Sequence, residues 1–214
     1  MRAFGACALA AVVLAAPLSA QETKAEAPAD QAAPPPWESS ASVYAYFVPH
    51  DIDYASETII AEREGLHLEA RYNYEDQSTA SLWMGRKFEF GESLKGEVTP
   101  MIGFVFGHTN GIAPGYHFTL DYKKLELYSE GEYLFDADVH SDSFFYTWSE
   151  LTYRPLDWLQ AGLVTQRTRA YQTPLNIQRG LLLRASYKSW AFGVYIFDFG
   201  WTDPTVVTSV TLEF

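Results

Sequence analysis

The sequence is poor in cysteine, in long apolar runs and in basic charge. Its single cysteine, Cys7, lies in a short apolar stretch at the start of the chain, so the remainder can form no disulfide. No later apolar run approaches the length of about 18 residues that a membrane-spanning helix needs, and helical periodicity is absent. Lysine and arginine number 15 against 27 acidic residues, a net charge of -12. This balance excludes the basic footprint that nucleic-acid binding requires.

The first 20 residues have the features of a secretory signal peptide. Arg2 gives a positive start, residues 8–16 form the apolar run, and small residues lead up to Ala20. The run is too short for a spanning helix, so we expect residues 1–20 to be cleaved on export rather than kept as an anchor. Residues 21–36 are rich in alanine and proline and lack aromatic residues, which predicts a disordered periplasmic lead-in. Residues 37–214 have the length of one domain.

Residues 116–135 show the pattern that repeats along the rest of the chain. Apolar and polar side chains alternate on both sides of Lys123-Lys124, and successive residues of a strand point to opposite faces. Folding back at the two lysines places Asp121 opposite Glu126, so polar side chains meet polar side chains and apolar meet apolar. This stretch therefore predicts a β-hairpin with one apolar and one charged face.

Similar alternating segments recur along the chain, and most have the length of about 9–12 residues that a tilted strand needs to cross a membrane. They lie at residues 42–48, 54–64, 66–74, 79–90, 94–106, 116–123, 125–136, 144–154, 158–169, 178–188, 190–197 and 205–214. Short links alternate with longer ones, as in a barrel with tight turns at one rim and loops at the other. We therefore predict an all-β fold, an up-and-down antiparallel transmembrane β-barrel of about twelve strands, with ten or fourteen as alternatives.

Alternation alone does not say whether the apolar face points to lipid or to a soluble core. The opposite face carries many charges, and aromatic residues such as Tyr122, Tyr153 and Trp190 gather at the ends of the apolar faces. Such a girdle is typical of membrane interfaces. A closed barrel also satisfies every backbone hydrogen bond within lipid. We therefore expect apolar side chains outside and charged ones in the lumen.

Two stretches depart from the pattern. Arg86 has the same parity as Leu82 and Phe88, so it would face lipid. We expect it near the headgroups, where the cost is small, or displaced by a bulge. Between residues 163 and 169 the alternation is unclear, which predicts a further bulge.

The charged lumen is the strongest functional signal. Acidic residues dominate the strands in the middle of the chain, and basic residues concentrate on the later strands, so we expect an acidic arc to face a basic arc. The predicted pore-lining residues are Glu69, Arg71, Glu97, His117, Asp121, Glu126, Glu130, Glu132, Glu150, Arg154, Arg167, Arg169, Arg184 and Lys188. A transverse field of this kind orients and selects small polar or charged solutes. Alternatively, the charges pair with one another and plug the barrel.

Hydrolysis and metal binding are the other chemistries to consider. His108 and His140 are loop histidines beside hydroxyl-bearing residues, but no spacing marks a nucleophile held by a base, so we assign no catalytic residue. Asp136, Asp138 and Asp142 offer oxygen ligands for Ca²⁺, yet their spacing does not match an EF-hand loop. The sequence therefore predicts neither a metal nor a cofactor.

The last segment places Thr208, Val210, Leu212 and Phe214 on one face. It resembles the C-terminal assembly signal of Gram-negative outer-membrane β-barrel proteins, which typically end in an outward-alternating strand with a terminal aromatic residue. The resemblance implies an outer-membrane location, contact with lipid and lipopolysaccharide, and recognition of Val210, Leu212 and Phe214 by the barrel-assembly machinery. It does not select a function, because barrels of this size include narrow porins, nucleoside channels, phospholipases and lipid A deacylases.

Among these functions, the charged lumen favours a narrow porin-like channel for small polar or charged solutes. A sealed structural or surface barrel and an outer-membrane lipid hydrolase remain the alternatives.

Overall fold

The computed structural model describes residues 35–138, 143–170, 176–200 and 203–214, with the backbone alone at residues 169, 170 and 176. The predicted signal peptide, most of the lead-in and His140 lie outside these ranges. Within the ranges, no helix reaches the length and apolarity that crossing a membrane requires.

Thirteen strands make up the described ordered part. They are β1 (Glu38–Phe47), β2 (Tyr54–Arg63), β3 (Leu66–Tyr72), β4 (Thr79–Arg86), β5 (Phe88–Phe90), β6 (Lys95–Gly107), β7 (Gly111–Tyr122), β8 (Leu125–Asp136), β9 (Phe144–Leu156), β10 (Leu159–Ala170), β11 (Asn176–Tyr187), β12 (Trp190–Phe197) and β13 (Thr205–Glu213).

The strands form one closed antiparallel ring. Apart from β4 and β5, which do not pair with each other, each strand pairs with its neighbours in sequence, and β13 returns to pair with β1. β4 and β5 both pair with β6 in the same register, Gly85 with Met101 and Phe88 with Val98, so they form one interrupted spanning segment. Pro100 lies opposite the interruption, and proline has no backbone N–H to donate to the ladder. The ring therefore has twelve spanning segments, and the predicted up-and-down barrel of about twelve strands is confirmed.

Tight turns and longer loops segregate to opposite rims. Among the tight turns, Glu64-Gly65 joins β2 to β3 with both residues at positive φ, and Lys123 and Lys188 also have positive φ. This left-handed backbone suits the two-residue hairpin turns that match the twist of the strands. Most links at the other rim are longer, as the sequence pattern predicts. The long link expected between residues 106 and 116 is wrong, because β7 already begins at Gly111 and only residues 108–110 join it to β6.

The apolar face points outward, as predicted. Large apolar side chains such as Leu82, Phe104 and Leu163 are more than half exposed at the outer surface, while charged residues of the opposite parity are buried inside. Because a soluble barrel would hide these side chains, the belt marks a lipid-facing exterior. Tyr122, Tyr153, Trp158, Tyr187 and Trp190 are exposed near the tight-turn rim and form an aromatic girdle there.

Of the two stretches that depart from strict alternation, Arg86 lies where we expect it, but residues 163–169 do not form a bulge. Arg86 lies exposed at the tight-turn rim, opposite Leu66 and beside Gly65, which fits the expected headgroup position. The bulge predicted between residues 163 and 169 is wrong: β10 pairs regularly with β9 from Ala161 to Ala170. The irregularity lies instead between Leu159 and Ala161, at the tight-turn end of the strand.

Candidate functional site

The lumen has two walls of different chemistry. β2, β3, β7 and β8 contribute a connected series of charged side chains, and we call five of them the acidic ladder: Glu62, His67, Glu69, Arg71 and Glu132. β1 and β9 to β13 contribute mainly aromatic and aliphatic side chains. Strand alternation places all of them inside, because the opposite parity of each strand forms the outer belt.

The lower part of the acidic ladder begins near the tight-turn rim. Lys87, at the break between β4 and β5, donates a hydrogen bond to Glu62 and lies 3.3 Å from Glu97. Glu62 contacts His67 Nδ1 at 2.7 Å, and His67 Nε2 lies 3.2 Å from Glu69 Oε2. The side chain of His67 is only 2% exposed, so this histidine is held between two carboxylates away from bulk water.

Arg71 is the centre of the upper part of the ladder. Its Nε donates to Glu69 Oε1 and its Nη1 donates to Glu132 Oε2, both at 2.7 Å, while Glu75 lies 3.7 Å away. The guanidinium also stacks between aromatic rings, 4.3 Å from the centroid of Tyr74. All four charged side chains are nearly fully buried, and Glu69, Glu75 and Glu132 share this one arginine as a charge partner.

Glu75 belongs to the loop after β3, yet its side chain turns into the lumen. Ser81 Oγ donates to it at 2.6 Å, and Trp83 Nε1 donates to it at 3.2 Å. Together with Glu62 and Lys87, Glu75 is a lumenal charge that the predicted pore-lining set omits. The sequence signal was weak because β2 places Ile60 on the same inner face as Glu62, which obscures its alternation.

On the other wall, Arg184 is the main cation. Its Nη2 donates to Glu150 Oε2 at 2.7 Å and to the Tyr195 hydroxyl at 3.0 Å. Glu150 also accepts a hydrogen bond from Trp148 Nε1 at 2.9 Å. The rings of Trp148 and Tyr195 pack edge to face, with 5.2 Å between their centroids. This wall therefore holds a paired charge inside an aromatic setting.

A cavity of about 230 Å³ lies between the two walls. His117, Glu130 and Arg184 are among its lining residues. Glu130 accepts hydrogen bonds from the hydroxyls of Tyr74 and Tyr128, both at 2.5 Å. The cavity thus offers carboxylate, imidazole and phenol groups to any solute that enters it.

A second group of charges lies at the tight-turn end of the lumen. Arg154 Nη2 donates to Glu126 Oε2 at 3.0 Å, and Asp121 lies opposite Glu126 across β7 and β8, as predicted. Glu97 and Asp121 line another cavity of about 480 Å³ together with Lys95. This end of the lumen is therefore charged as well.

The structure places most of the predicted pore-lining residues inside the barrel. These are Glu69, Arg71, Glu97, His117, Asp121, Glu126, Glu130, Glu132, Glu150, Arg154 and Arg184. Arg167 differs: it shares the outer face of β10 with Leu163, and its Cζ lies 5.9 Å from the ring centroid of Phe145. Lys188 is in a rim turn, with its ammonium 5.4 Å from the outward-facing Tyr187 ring. The side chain of Arg169 lies outside the described part.

Fewer basic residues of the later strands reach the lumen than the sequence pattern predicts. Arg184 and Arg154 are the described arginines of the later strands that reach the lumen, and each is paired with a glutamate. Arg71 lies in the opposite, acidic wall. The expectation of opposed arcs was wrong because β10 runs without the expected bulge, so plain alternation from Leu163 places Arg167 on the outer face.

Apolar side chains fill the loop-side half of the lumen. One cluster contains Tyr46, Trp148, Val164, Leu182, Tyr195, Phe197 and Val207, and the other contains Trp83, Met101, Val105, Ala113 and Leu134. All are at most 9% exposed. The bore is therefore narrow toward the long loops.

The loop histidine of the hydrolase alternative has an acidic partner. His108 Nδ1 lies 2.7 Å from Asp76 Oδ2, and the Thr109 hydroxyl donates to the same oxygen at 2.7 Å. Partial burial favours a raised pKa for Asp76, but the hydrogen bonds from His108 and Thr109 outweigh it and hold this pKa below its ordinary value. The threonine hydroxyl therefore donates its hydrogen bond to the carboxylate, whereas in a catalytic triad the nucleophile's hydroxyl would donate to the imidazole.

The last strand has the orientation that the resemblance implies. Val210 and Phe214 are exposed on the outer surface, and Leu212 shares their parity. Leu212 lies between Ala41 of β1 and Trp190 of β12. The side chains of Val210 and Phe214 are thus accessible from the lipid side.

No protein-family profile matches the chain, and no curated protein matches its sequence. Solved structures do resemble it. Two structures of the KdgM porin, one in complex with disordered oligogalacturonate, are 12% and 11% identical with TM-scores of 0.58 and 0.61, and each match covers 82% of this chain and 99% of the porin. The NanC porin is 9% identical with a TM-score of 0.55, covering 82% of this chain and 100% of the porin. The chain thus has the fold of twelve-stranded outer-membrane porins.

Proposed function

We propose that the protein is a narrow porin-like channel of the outer membrane that passes small polar solutes and favours cations over anions. The observation that carries this proposal is the excess of acidic groups in the lumen. Among the described residues the acidic groups include Glu62, Glu69, Glu75, Glu89, Glu97, Asp121, Glu126, Glu130, Glu132 and Glu150, and the basic ones include Arg71, Lys87, Lys95, Arg154 and Arg184. A pore with low-dielectric walls and one dominant sign of charge concentrates the opposite ion.

The solute class follows from the same charges. The KdgM porin of the comparison was solved with oligogalacturonate, a polyanion. In the present chain, Glu126, Glu130 and Glu150 line the central cavity against Arg184. Such a lining disfavours a polyanion and suits neutral or cationic solutes with several hydrogen-bonding groups. The aromatic lining, including Tyr128, adds flat surfaces for the apolar faces of such solutes.

Planar-bilayer recording of the purified protein tests this proposal. In a salt gradient, the wild-type reversal potential should show cation preference. Glu126→Gln removes one carboxylate and frees Arg154, so the cation-to-anion permeability ratio should fall several-fold, since one charge a few ångströms from the ion path is worth about 1 kcal/mol even in water-like surroundings. Asp157→Asn makes the same chemical change in an exposed rim turn and should leave the ratio unchanged.

A sealed barrel is the second candidate, and the two buried apolar clusters in the loop-side half favour it. Silence in repeated insertions of protein whose gel migration shows a folded barrel would refute the channel and support the seal. Conductance without cation preference would refute the role given to the lumenal carboxylates.

The remaining features concern export and membrane insertion. We propose that residues 1–20 direct export and are removed, and that lipid and lipopolysaccharide surround the apolar belt. We also propose that the barrel-assembly machinery recognises Val210, Leu212 and Phe214. The outward orientation of these three side chains supports this role.

A further inference from the structure

Two histidines and a carboxylate meet on the acidic wall beside the central cavity. His67, Glu69 and His117 each offer one ligand-type atom, and these atoms all lie within 4.8 Å of one another. His67 Nε2 is 3.2 Å from Glu69 Oε2, and His117 Nε2 is 3.6 Å from the same oxygen. Two imidazoles and one carboxylate form a donor set that zinc uses in proteins.

The hydrogen bond on the far side of His67 fixes which nitrogen is free. Its Nδ1 lies 2.7 Å from Glu62 Oε1, and only a protonated Nδ1 can make that contact, because the carboxylate accepts. In the neutral ring Nε2 then carries a lone pair, which faces the lone pairs of Glu69 Oε2. Either a second proton or a metal cation must lie between them. A carboxylate that orients the far nitrogen of a histidine is the usual support of a zinc-ligating histidine.

His117 supplies an independent sign of a missing partner. Its Nε2 is buried and has no hydrogen-bond partner within the described part of the chain. It lies 3.6 Å from Glu69 Oε2 and also 3.6 Å from Glu130 Oε2, beyond hydrogen-bond reach of either oxygen. Burying a polar atom without a hydrogen-bond partner costs folding free energy, and a bound ligand at this nitrogen would remove that cost.

The separations of these atoms suit tetrahedral coordination. Bonds of about 2.0–2.2 Å to a tetrahedral metal place neighbouring ligand atoms about 3.3–3.6 Å apart. The two observed distances to Glu69 Oε2, 3.2 Å and 3.6 Å, agree with this spacing. Only the two imidazole nitrogens need to approach each other, from a separation of at most 4.8 Å.

The local charge also favours a divalent cation. Within the described residues, five carboxylates surround the site against two basic groups: Glu62, Glu69, Glu75, Glu130 and Glu132 against Arg71 and Lys87. With both histidines neutral, negative charges are in excess by three. Glu130 or a water molecule in the cavity can complete the coordination, because Glu69, His117 and Glu130 all line that cavity.

We propose that His67, Glu69 and His117 form a binding site for Zn²⁺ in the wall of the lumen, with Glu62 orienting His67. The site does not depend on whether the barrel conducts ions. Zn²⁺ bound there faces the central cavity and offsets two of the three excess negative charges.

Calorimetric titration of the metal-stripped protein in detergent, with Zn²⁺ alone as the probe, tests the site. The wild type should bind a single Zn²⁺ at neutral pH, and X-ray absorption should show two imidazole ligands. His67→Asn and His117→Asn should each weaken binding by more than about 100-fold, and Glu62→Ala by about 10–100-fold, as for other partners of ligating histidines. His108→Asn makes the same change in an exposed loop and should leave the affinity unaltered.

The outcomes separate coordination from its alternatives. Heat-dependent gel migration first shows that each variant is folded, so a loss of binding reports the ligand and not the barrel. Equal affinity in wild type, His67→Asn and His117→Asn would overturn the proposal and indicate attraction to surface carboxylates. Absence of Zn²⁺ uptake by the folded wild type would also overturn it and assign the place between His67 and Glu69 to a proton.

Discussion

Replacing Arg71 by methionine tests whether the acidic ladder holds the barrel wall together. Methionine keeps much of the side-chain volume between Tyr74 and Trp83 but removes the charge. Glu69, Glu132 and Glu75 then lose the guanidinium that lies 2.7, 2.7 and 3.7 Å from them. All these carboxylates are at most 3% exposed, so water cannot replace the lost partner.

The expected size of the effect follows from this burial. Breaking a buried ion pair by removing one partner costs about 3–5 kcal/mol, because an uncompensated charge stays inside. Arg154→Met is the matched control, since Arg154 makes a similar 3.0 Å contact with Glu126 but its side chain is 44% exposed. An exposed pair contributes only about 0–1 kcal/mol.

Equilibrium unfolding in urea from lipid vesicles, followed by tryptophan fluorescence, measures both variants against the wild type. We expect Arg71→Met to lose several times more unfolding free energy than Arg154→Met. Adding Glu69→Gln and Glu132→Gln to Arg71→Met should recover part of the loss, because the unpaired charges are removed. Equal losses in the two single variants would refute the view that Arg71 compensates buried charge.

Two further predictions concern the outer loops and the lipid face. Because the pKa of Asp76 is lowered, its hydrogen bonds with His108 and Thr109 contribute fully above the ordinary carboxyl pKa of 3.8 and are lost as the pH falls through the lowered pKa. In a carbon-13 NMR titration, the midpoint of Asp76 should therefore rise when Thr109 is changed to valine. An unchanged midpoint would contradict this prediction. Leu163→Arg, at mid-height on the lipid face, should lower the free energy of unfolding in urea by about 2–4 kcal/mol, whereas Tyr187→Arg at the rim should lower it by about 0–1 kcal/mol. Equal losses would contradict the membrane depth assigned to these two residues.

Alternation was enough to predict the ring of strands and its orientation. In β8 every second residue from Glu126 to Glu132 is polar, and the structure turns this set inward. The register of Asp121 opposite Glu126 followed from the turn alone. These features depend on neighbours in sequence and on one face differing from the other, so the chain itself displays them.

The filling of the lumen was harder to predict for a physical reason. In β12, Tyr195 and Phe197 point inward while Phe192 and Val194 point outward, so both faces are apolar and the alternation carries no contrast. Contacts across the lumen, such as Arg71 with Glu132, join positions 61 apart in sequence, and local patterning does not encode them. Arg167 was misassigned because the alternation between residues 163 and 169 was unclear and a bulge was expected there; without one, Arg167 keeps the outward parity of Leu163.

The seam between β1 and β13 has a consequence for biogenesis. It joins Ser42 to Thr211, 169 positions apart, through hydroxyls 2.9 Å from each other. Until the final strand arrives, the sheet has two open edges whose unpaired N–H and C=O groups can recruit other chains. The incomplete sheet is therefore prone to pairing with other chains until β13 pairs with β1, and that single closing step covers both edges together.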